Sequence, residues 1–581
     1  MQRITGRLVD IVQEKWYPAE VVIEDGMITS VTALPADAGA AQKEDDSLPF
    51  ILPGFIDSHV HIESSLLIPA EFARLAVVHG TVATVSDPHE IANVSGLPGV
   101  EFMIRNGHTV PFHFNFGAPS CVPATRYETA GACLGVPEVT ALLKNPEIKY
   151  LAEMMNFPGV LNKDPEVLEK IAAAHALGLP VDGHAPGLTG EAAREYIAAG
   201  ISTDHECFTA EEALDKLKYG MKILIREGSA ARNFEALIGL LNDYPDQMMF
   251  CSDDKHPDSL VAGHINQLCA RAVAKGIDVF KVLKAACLNP VLHYRLDTGL
   301  LRAGDPADLI VVKDLKDFIV LKTFIGGQLV AENGVSRIAR GQAEGIVNKF
   351  SCEPKTPQDF AYLLDKWGEE ENVEQVYVIE ALDGQLITNK LVVPVKDVAV
   401  VSVKGAPPAK GLLQSNPGKD ILKIVVVNRY QPAPVAKSFI RNFGLKRGAL
   451  ASSVAHDSHN IVAVGVDDES LCRAVNLVIR EKGGISCVDP GDGNSGGGRS
   501  EGGVSSSGID LVLPLPVGGL MSAEDGYSVA EAYTAIDAMA KSLGSPLSAP
   551  FMTLSFMALL VIPHLKLGDL GLFDGDQFAL L

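Results

Sequence analysis

The feature that most constrains the fold is an alternation, between residues 54 and 298, of short apolar runs with longer segments of helical apolar spacing. This alternation is typical of repeated βα units around a parallel sheet. Eight such units in about 245 residues predict an α/β fold, specifically a (β/α)8 TIM-like barrel. The predicted strands are Phe55–His61, Thr81–Asp87, Phe112–Gly117, Tyr150–Asn156, Pro180–Ala185, Ile201–Glu206, Lys222–Arg226 and Met249–Asp254.

The segments on either side of this predicted barrel have the pattern of β-strands. Residues 19–28 alternate and contain Asp25-Gly26, a pair that suits a hairpin turn. Residues 308–312 and 320–330 form a second apolar group, interrupted by Gly326-Gly327. We therefore expect both flanks, 1–53 and 299–345, to build one small β-sandwich domain, with the barrel over 54–298 inserted between them.

The 581 residues exceed what one hydrophobic core usually organises, so a further domain is expected. Alternating stretches at 375–379 and 421–427 predict strands, and we expect an α+β domain over residues 346–581. Residues 489–508 are crowded with Gly and Ser and lack apolar periodicity, which predicts a mobile surface loop.

Histidines and carboxylates recur at the ends of the predicted barrel strands. His59 and His61 lie two positions apart, so both side chains point to the same side of strand one. Barrels of this class carry their active sites at this end. Carboxylates with imidazoles suit Mn, Fe or Zn, and two His pairs joined by a carboxylate suit two ions about 3.5–4 Å apart. Buried, hydrogen-bonded histidines are the structural alternative. The other ligand candidates are Glu153, His184, His205 and Asp253.

Three further polar segments admit both functional and structural interpretations. Asp87 and His89 could contact substrate or an additional ion, but an Asp before Pro also begins a helix well. Asp254 and His256 could order a loop over the site or belong to a solvated turn. The segment 456–460 could form a substrate lid or an interdomain network, or be a simple polar turn.

Several motifs resemble known proteins. The stretch Pro53–His61 resembles the strand-one signature of the amidohydrolase superfamily, and Gly304–Leu309 is similar to its return into the small β-domain. Within that superfamily the chain resembles the adenine deaminase family over almost its whole length. The matching segments are Ile62–Ser65, Ser86–Val94, Glu153–Val160, Asp182–Gly187, Thr203–Glu206, Ser252–Pro257, His456–Asn460, Leu515–Ser522 and Ile562–Leu567.

The resemblance implies a reaction and roles for these residues. His59 and His61 would bind one metal, His184 and His205 the other, Glu153 would bridge and Asp253 would complete the site. It implies Mn(II) or Fe(II), while the donor types also allow Zn. Hydroxide would attack C6 of adenine, and Asp253 would pass a proton to the departing amine. Candidates for the acid that serves N1 are Glu206, Glu63 and Glu90. The expected substrate contacts are Asp87, His89, Glu90, Asp254 and His256.

Charge and hydropathy limit the partners. The formal net charge of -23 opposes binding to nucleic acid, and no run of eighteen apolar residues predicts a membrane span. We expect a cytoplasmic homo-oligomer that acts on a small purine base. Two alternatives stay open. An amidohydrolase for cyclic amides, such as a dihydroorotase or hydantoinase, would favour a bridging Lys, and a metal-free scaffold protein would have lost ligands.

Overall fold

The computed structural model describes residues 1–35, 48–363, 375–402, 411–491 and 508–581. Most of the segment predicted to be a Gly/Ser-rich surface loop, residues 492–507, lies outside the described residues. Among the described helices, none combines the length and the apolar character that crossing a bilayer requires.

The chain begins with four strands of a sheet that is completed only later. The hairpin predicted at Asp25-Gly26 is present, and both residues have positive φ angles, 51° and 82°, as a type I′ turn requires. The strands are β1 (Gln2–Asp10), β2 (Lys15–Glu24), β3 (Met27–Ala33) and β4 (Phe50–Pro53).

A closed barrel of eight parallel strands follows, which confirms the predicted fold. The N–H of Ser202 donates to the carbonyl of Val181 between the fifth and sixth strands. The N–H of Asp253 donates to the carbonyl of His59 at 2.9 Å, which links the last strand to the first. The strands are β5 (Phe55–Val60), β6 (Thr81–Ser86), β7 (His113–Ala118), β8 (Ile148–Met154), β9 (Val181–Gly183), β10 (Thr203–Asp204), β11 (Lys222–Arg226) and β12 (Met248–Cys251).

Helices connect these strands and bury one face each. In α6, Asp164 accepts a hydrogen bond from the Glu166 N–H at the N-terminus, while Val167, Ile171 and Ala174 face the core at helical spacing. The helices are α1 (Pro69–Ala76), α2 (His89–Ser95), α3 (Leu97–Gly107), α4 (Val136–Leu143), α5 (Phe157–Leu161), α6 (Pro165–Ala176), α7 (Gly190–Ala198), α8 (Ala210–Leu217), α9 (Phe234–Leu237), α10 (Pro257–Ala262), α11 (Ile265–Ala274), α12 (Val279–Leu283) and α13 (Asn289–Tyr294).

After the barrel, the chain returns to the first four strands, as the flanking patterns predicted. One sheet results, in the order β16-β15-β14-β13-β4-β1-β2-β3. Apolar side chains from both flanks, including Leu8, Val21, Ile51, Leu309 and Phe324, form one hydrophobic cluster. The returning strands are β13 (Leu309–Val312), β14 (Val320–Ile325), β15 (Gln328–Glu332) and β16 (Val335–Ser336).

The C-terminal region is α+β, and its largest sheet has the order β19-β18-β23-β22-β25-β24-β26-β27. Residues such as Leu422 and Phe551 belong to the same hydrophobic cluster as the barrel, so the two regions pack directly together. Its elements are β17 (Tyr362–Leu363), β18 (Gln375–Ala381), β19 (Thr388–Pro394), β20 (Ala399–Ser402), β21 (Gly411–Gln414), β22 (Ile421–Val427), β23 (Ala436–Arg441), β24 (Ala449–Ser452), β25 (Ile461–Gly465), α14 (Asp468–Arg480), β26 (Gly484–Asp489), β27 (Ile509–Pro514), α15 (Gly526–Ser542), α16 (Pro550–Phe556), β28 (Leu565–Gly568), β29 (Gly571–Asp574) and β30 (Ala579–Leu580).

Candidate active site

The structure brings together all six residues that the sequence proposed as metal ligands. Each lies on a barrel strand or within two residues of its C-terminal end, so the parallel strands deliver all six side chains to one end of the barrel. Every one of them is buried. The residues are His59, His61, Glu153, His184, His205 and Asp253.

One side of this cluster is a His pair with a carboxylate. The Nε2 atoms of His59 and His61 face each other at 3.2 Å, and Oδ1 of Asp253 lies 3.5 Å and 3.2 Å from them. Two nitrogens bound to one tetrahedral cation at a metal–nitrogen distance of about 2.1 Å would be about 3.4 Å apart. The facing nitrogens therefore fit one divalent ion. Nδ1 of His61 lies 3.1 Å from the carbonyl oxygen of Asp87, and donation there leaves Nε2 free to act as a ligand.

The second side is built around Glu153. Its Oε2 lies 2.8 Å from Nδ1 of His184 and 3.2 Å from Nε2 of His205. Its Oε1 lies 3.4 Å from Nε2 of His61. One carboxylate thus faces both His pairs, so Glu153 could hold ions bound by either pair.

Arg226, which the sequence interpretation missed, joins Asp253 of the cluster to the neighbouring acid Glu206. Its Nη1 lies 2.6 Å from Oδ2 of Asp253, and its Nη2 lies 3.0 Å from Oε2 of Glu206. Burial alone would raise the pKa of Glu206, but Arg226 and neighbouring histidines outweigh it and lower that pKa to about 2. The pKa of Asp253 is likewise held well below its usual value, against the effect of burial, chiefly by Arg226. The sequence does contain a signal for this position. Arg226 is the last residue of β11, so it lies at the same end of the barrel as the six candidate ligands.

The three acids predicted to serve N1 differ in their surroundings. Glu206 and Glu90 line the cavity, and the pKa of Glu206 is lowered as described above. Burial raises the pKa of Glu90, but His456, His459 and His89 outweigh it and hold that pKa well below the usual value. Burial raises the pKa of Glu63 to about 7, but its Oε1 accepts a hydrogen bond from the Ile91 N–H, and Glu63 is not among the residues that line the cavity.

The predicted substrate contacts divide into two groups. His89, Glu90 and Asp254 line the cavity, and Asp254 accepts a hydrogen bond from Ser64 Oγ at 2.5 Å. Asp87 and His256, in contrast, do not line it. Asp87 accepts a bond from the His89 N–H at 3.0 Å, so it holds the start of α2. His256 is turned towards the Ser64 carbonyl, with its Nδ1 2.9 Å from that oxygen.

The C-terminal domain closes the cavity above the cluster. Nδ1 of His456 lies 2.5 Å from Oε1 of Glu90, and Nε2 of His459 contacts the other oxygen of that carboxylate. Of the alternatives for this segment, the structure therefore has the interdomain network. Burial lowers the pKa of His456, but Glu90 and Asp254 outweigh it and raise that pKa to about 9. The residues that the domain contributes to the cavity wall are Leu386, His456, Asp457, Phe556, Leu559 and Val561.

Comparisons with known proteins point to one family over almost the whole chain. A model of the amidohydrolase family matches residues 50–330, and a model of the adenine deaminase C-terminal domain matches residues 401–579. An adenine deaminase of Salinibacter ruber is 52% identical over 99% of this chain and 97% of its own length. Those of Sulfurovum sp. and Methanosarcina mazei are 52% and 46% identical, over 98% and 100% of this chain and 97% and 98% of their own lengths.

Proposed function

The chain belongs to the adenine deaminase family, and we propose that it hydrolyses adenine to hypoxanthine and ammonia in the cavity between the barrel and the C-terminal domain. One observation carries this proposal. The cavity joins an N/O ligand cluster at the barrel end to residues of the domain that matches the adenine deaminase C-terminal model. The protein is thus a hydrolase that acts on a C–N bond.

The donor set supports two divalent cations. His59 and His61 would hold one ion, His184 and His205 the other, with Glu153 between them and Asp253 beside the first. When bound, such ions lower the pKa of water and supply hydroxide near neutral pH. Imidazole and carboxylate donors suit Mn(II) and Fe(II), and we propose one of these as the working metal.

Asp253 is the residue that we assign to proton transfer. Arg226 keeps its carboxylate ionised, so it can accept a proton from the attacking water and deliver it to the departing amine. Its backbone φ of 54° lies in the left-handed region, and the N–H of Asp253 is fixed by the His59 carbonyl. The side chain is therefore held in place before substrate arrives.

Two other functions fit the cluster less well. A cyclic-amide hydrolase would favour a Lys as the bridge, whereas strand β8 carries Glu153 there. A metal-free scaffold protein would have lost ligands, whereas all six predicted positions are present and face one another.

Ammonia release tests the proposal directly. Protein reconstituted with Mn(II) or Fe(II) is incubated separately with adenine, adenosine, guanine and cytosine. We expect release from adenine and its loss on chelation, with recovery when metal is restored. Release from a different base, or full activity in protein shown by elemental analysis to be metal-free, would refute it.

A further inference from the structure

Two polar side chains from the C-terminal domain, His456 and Asp457, lie on the wall of the active-site cavity. The other contributions of that domain are the apolar residues Leu386, Phe556, Leu559 and Val561. The polar pair therefore faces the substrate space from a largely apolar surface. The ligand cluster on the barrel does not include it.

Both members of this pair are buried, and each has one polar atom without a hydrogen-bond partner among the described residues, Nε2 of His456 and Oδ2 of Asp457. Asp457 supplies the unpartnered acceptor of the two. The nearest cation to Oδ1 is Nε2 of His89, at 3.7 Å, which is beyond hydrogen-bonding distance. A buried acceptor without a donor is costly, so this oxygen needs a donor from whatever enters the cavity.

His89 lies between Asp457 and the ligand cluster. Nδ1 of His89 lies 3.5 Å from Oε1 of Glu153, and Nε2 on the opposite side of the ring faces Asp457. One imidazole ring thus separates Asp457 from the bridging carboxylate. Glu90 contacts the histidines on both sides of Asp457 in sequence, His456 and His459, which fixes the turn that carries it.

The chemistry of adenine restricts what Asp457 can bind. With the C6 amine at the ligand cluster, N1, N3 and the unprotonated imidazole nitrogen can only accept hydrogen bonds. The N–H of the imidazole ring is the one remaining N–H donor. The unpartnered Oδ2 of Asp457 is an acceptor, so it complements this N–H alone.

We propose that Asp457 binds the imidazole-ring N–H of adenine and thereby selects the free base over purines substituted at N9. This inference rests on the proposed function. In an N9-substituted purine the donor is absent, and the buried Oδ2 of Asp457 stays without a hydrogen bond. Unpaired buried groups of this kind discriminate far more strongly than a change of one methylene.

The test compares adenine with 9-methyladenine, which has no ring N–H, in the wild type, Asp457→Asn and Asp457→Ala. A hydrogen bond to a charged group corresponds to about a 10–150-fold effect. We expect both variants to lose kcat/KM for adenine by about that factor and to lose little for 9-methyladenine, so that the preference for adenine falls. The matched control is Asp574→Asn, because Asp574 is a buried acid of the same domain that is paired with Lys390. This variant should keep the wild-type kcat/KM for both purines.

The outcomes separate this inference from the proposed function. An equal loss for both purines in the Asp457 variants, or no loss for either, would overturn the role of Asp457. A metal-loaded wild type that releases no ammonia from adenine would instead refute the proposed function. Equilibrium dialysis of both purines against the wild type and Asp457→Ala needs no turnover, so an unchanged ratio of their affinities counts against Asp457 in that case too.

Discussion

Nη1 of Arg226 lies 2.6 Å from Oδ2 of Asp253, and both side chains are buried. The same guanidinium also binds Glu206, which lies beside the ligand cluster, so one cation faces two acids. Removing one partner of a buried ionic group costs about 3–5 kcal/mol, because the remaining charge is left uncompensated. We therefore expect Arg226→Gln to lower both the melting temperature and kcat.

Lys222 offers the matched control for that change. It lies at the opposite end of the same strand and donates to the Asp246 carbonyl. Lys222→Gln should leave kcat and the melting temperature close to the wild type. The measurements are the melting temperature and kcat of both variants. A wild-type kcat in Arg226→Gln would contradict the role given to Arg226.

Metal content tests the ligand assignments separately from activity. His61→Ala removes a nitrogen that faces both Asp253 and Glu153, and Glu153→Gln removes the charge between the His pairs. We expect elemental analysis to find less bound metal in both variants than in the wild type. His108→Gln, at an exposed ion pair, should keep the full content. Wild-type stoichiometry in both ligand variants would show that the ligands lie elsewhere.

The two consecutive acids Asp253 and Asp254 have different surroundings and should respond differently to substitution. Asp253 faces the His pair and Arg226, whereas Asp254 accepts a bond from Ser64. We expect Asp253→Asn to retain most of its metal and to lose at least about 10²–10⁴-fold in kcat, the usual contribution of acid–base catalysis. A mild effect of Asp253→Asn together with a severe effect of Asp254→Asn would reverse the assignment.

The contact between Glu90 and His456 predicts a pH-dependent stability. The pKa of His456 is raised to about 9 in the folded protein, above its ordinary value of 6.5. Stabilisation by the protonated ring is therefore complete below about pH 6.5 and is lost as the pH rises through about 9. The acids that face this ring are Glu90, Asp254 and Asp457.

The measurement is the melting temperature between pH 6 and pH 10. We expect a fall in the wild type that is smaller in His456→Gln, because the glutamine side chain does not titrate. His108→Gln removes an exposed histidine and should follow the wild-type curve. Parallel curves for all three proteins would show that His456 does not couple protonation to folding.

The ligand cluster could be predicted from the sequence because its position follows from strand periodicity. His59 and His61 are two residues apart, and the other candidates lie at the ends of the fourth, fifth, sixth and eighth strands, where parallel strands must bring them together. Arg226 was missed because a cation that ends a strand is usually solvated. Only the packed barrel shows that it faces two carboxylates.

The part of the cavity wall that the C-terminal domain contributes could not be predicted by the same reasoning. Leu386, Phe556 and Val561 belong to apolar runs that look like any other core segment, and no local pattern indicates which of them face the barrel. The placement of Glu63 and His256 behind the wall likewise depends on turns after the strands. Such positions are decided by long-range packing and not by spacing.

The pairing of β4 has a consequence for the order in which the protein folds during synthesis. In the sheet, β4 lies between β1 and β13, with Leu52 opposite Ile310. In the sequence, the whole barrel separates β4 from β13. While the chain emerges from the ribosome, β4 therefore presents an unpaired edge, which is prone to pair with other chains. Because β13 follows the last barrel helix in the sequence, β4 can pair with β13 only after the whole barrel has been translated.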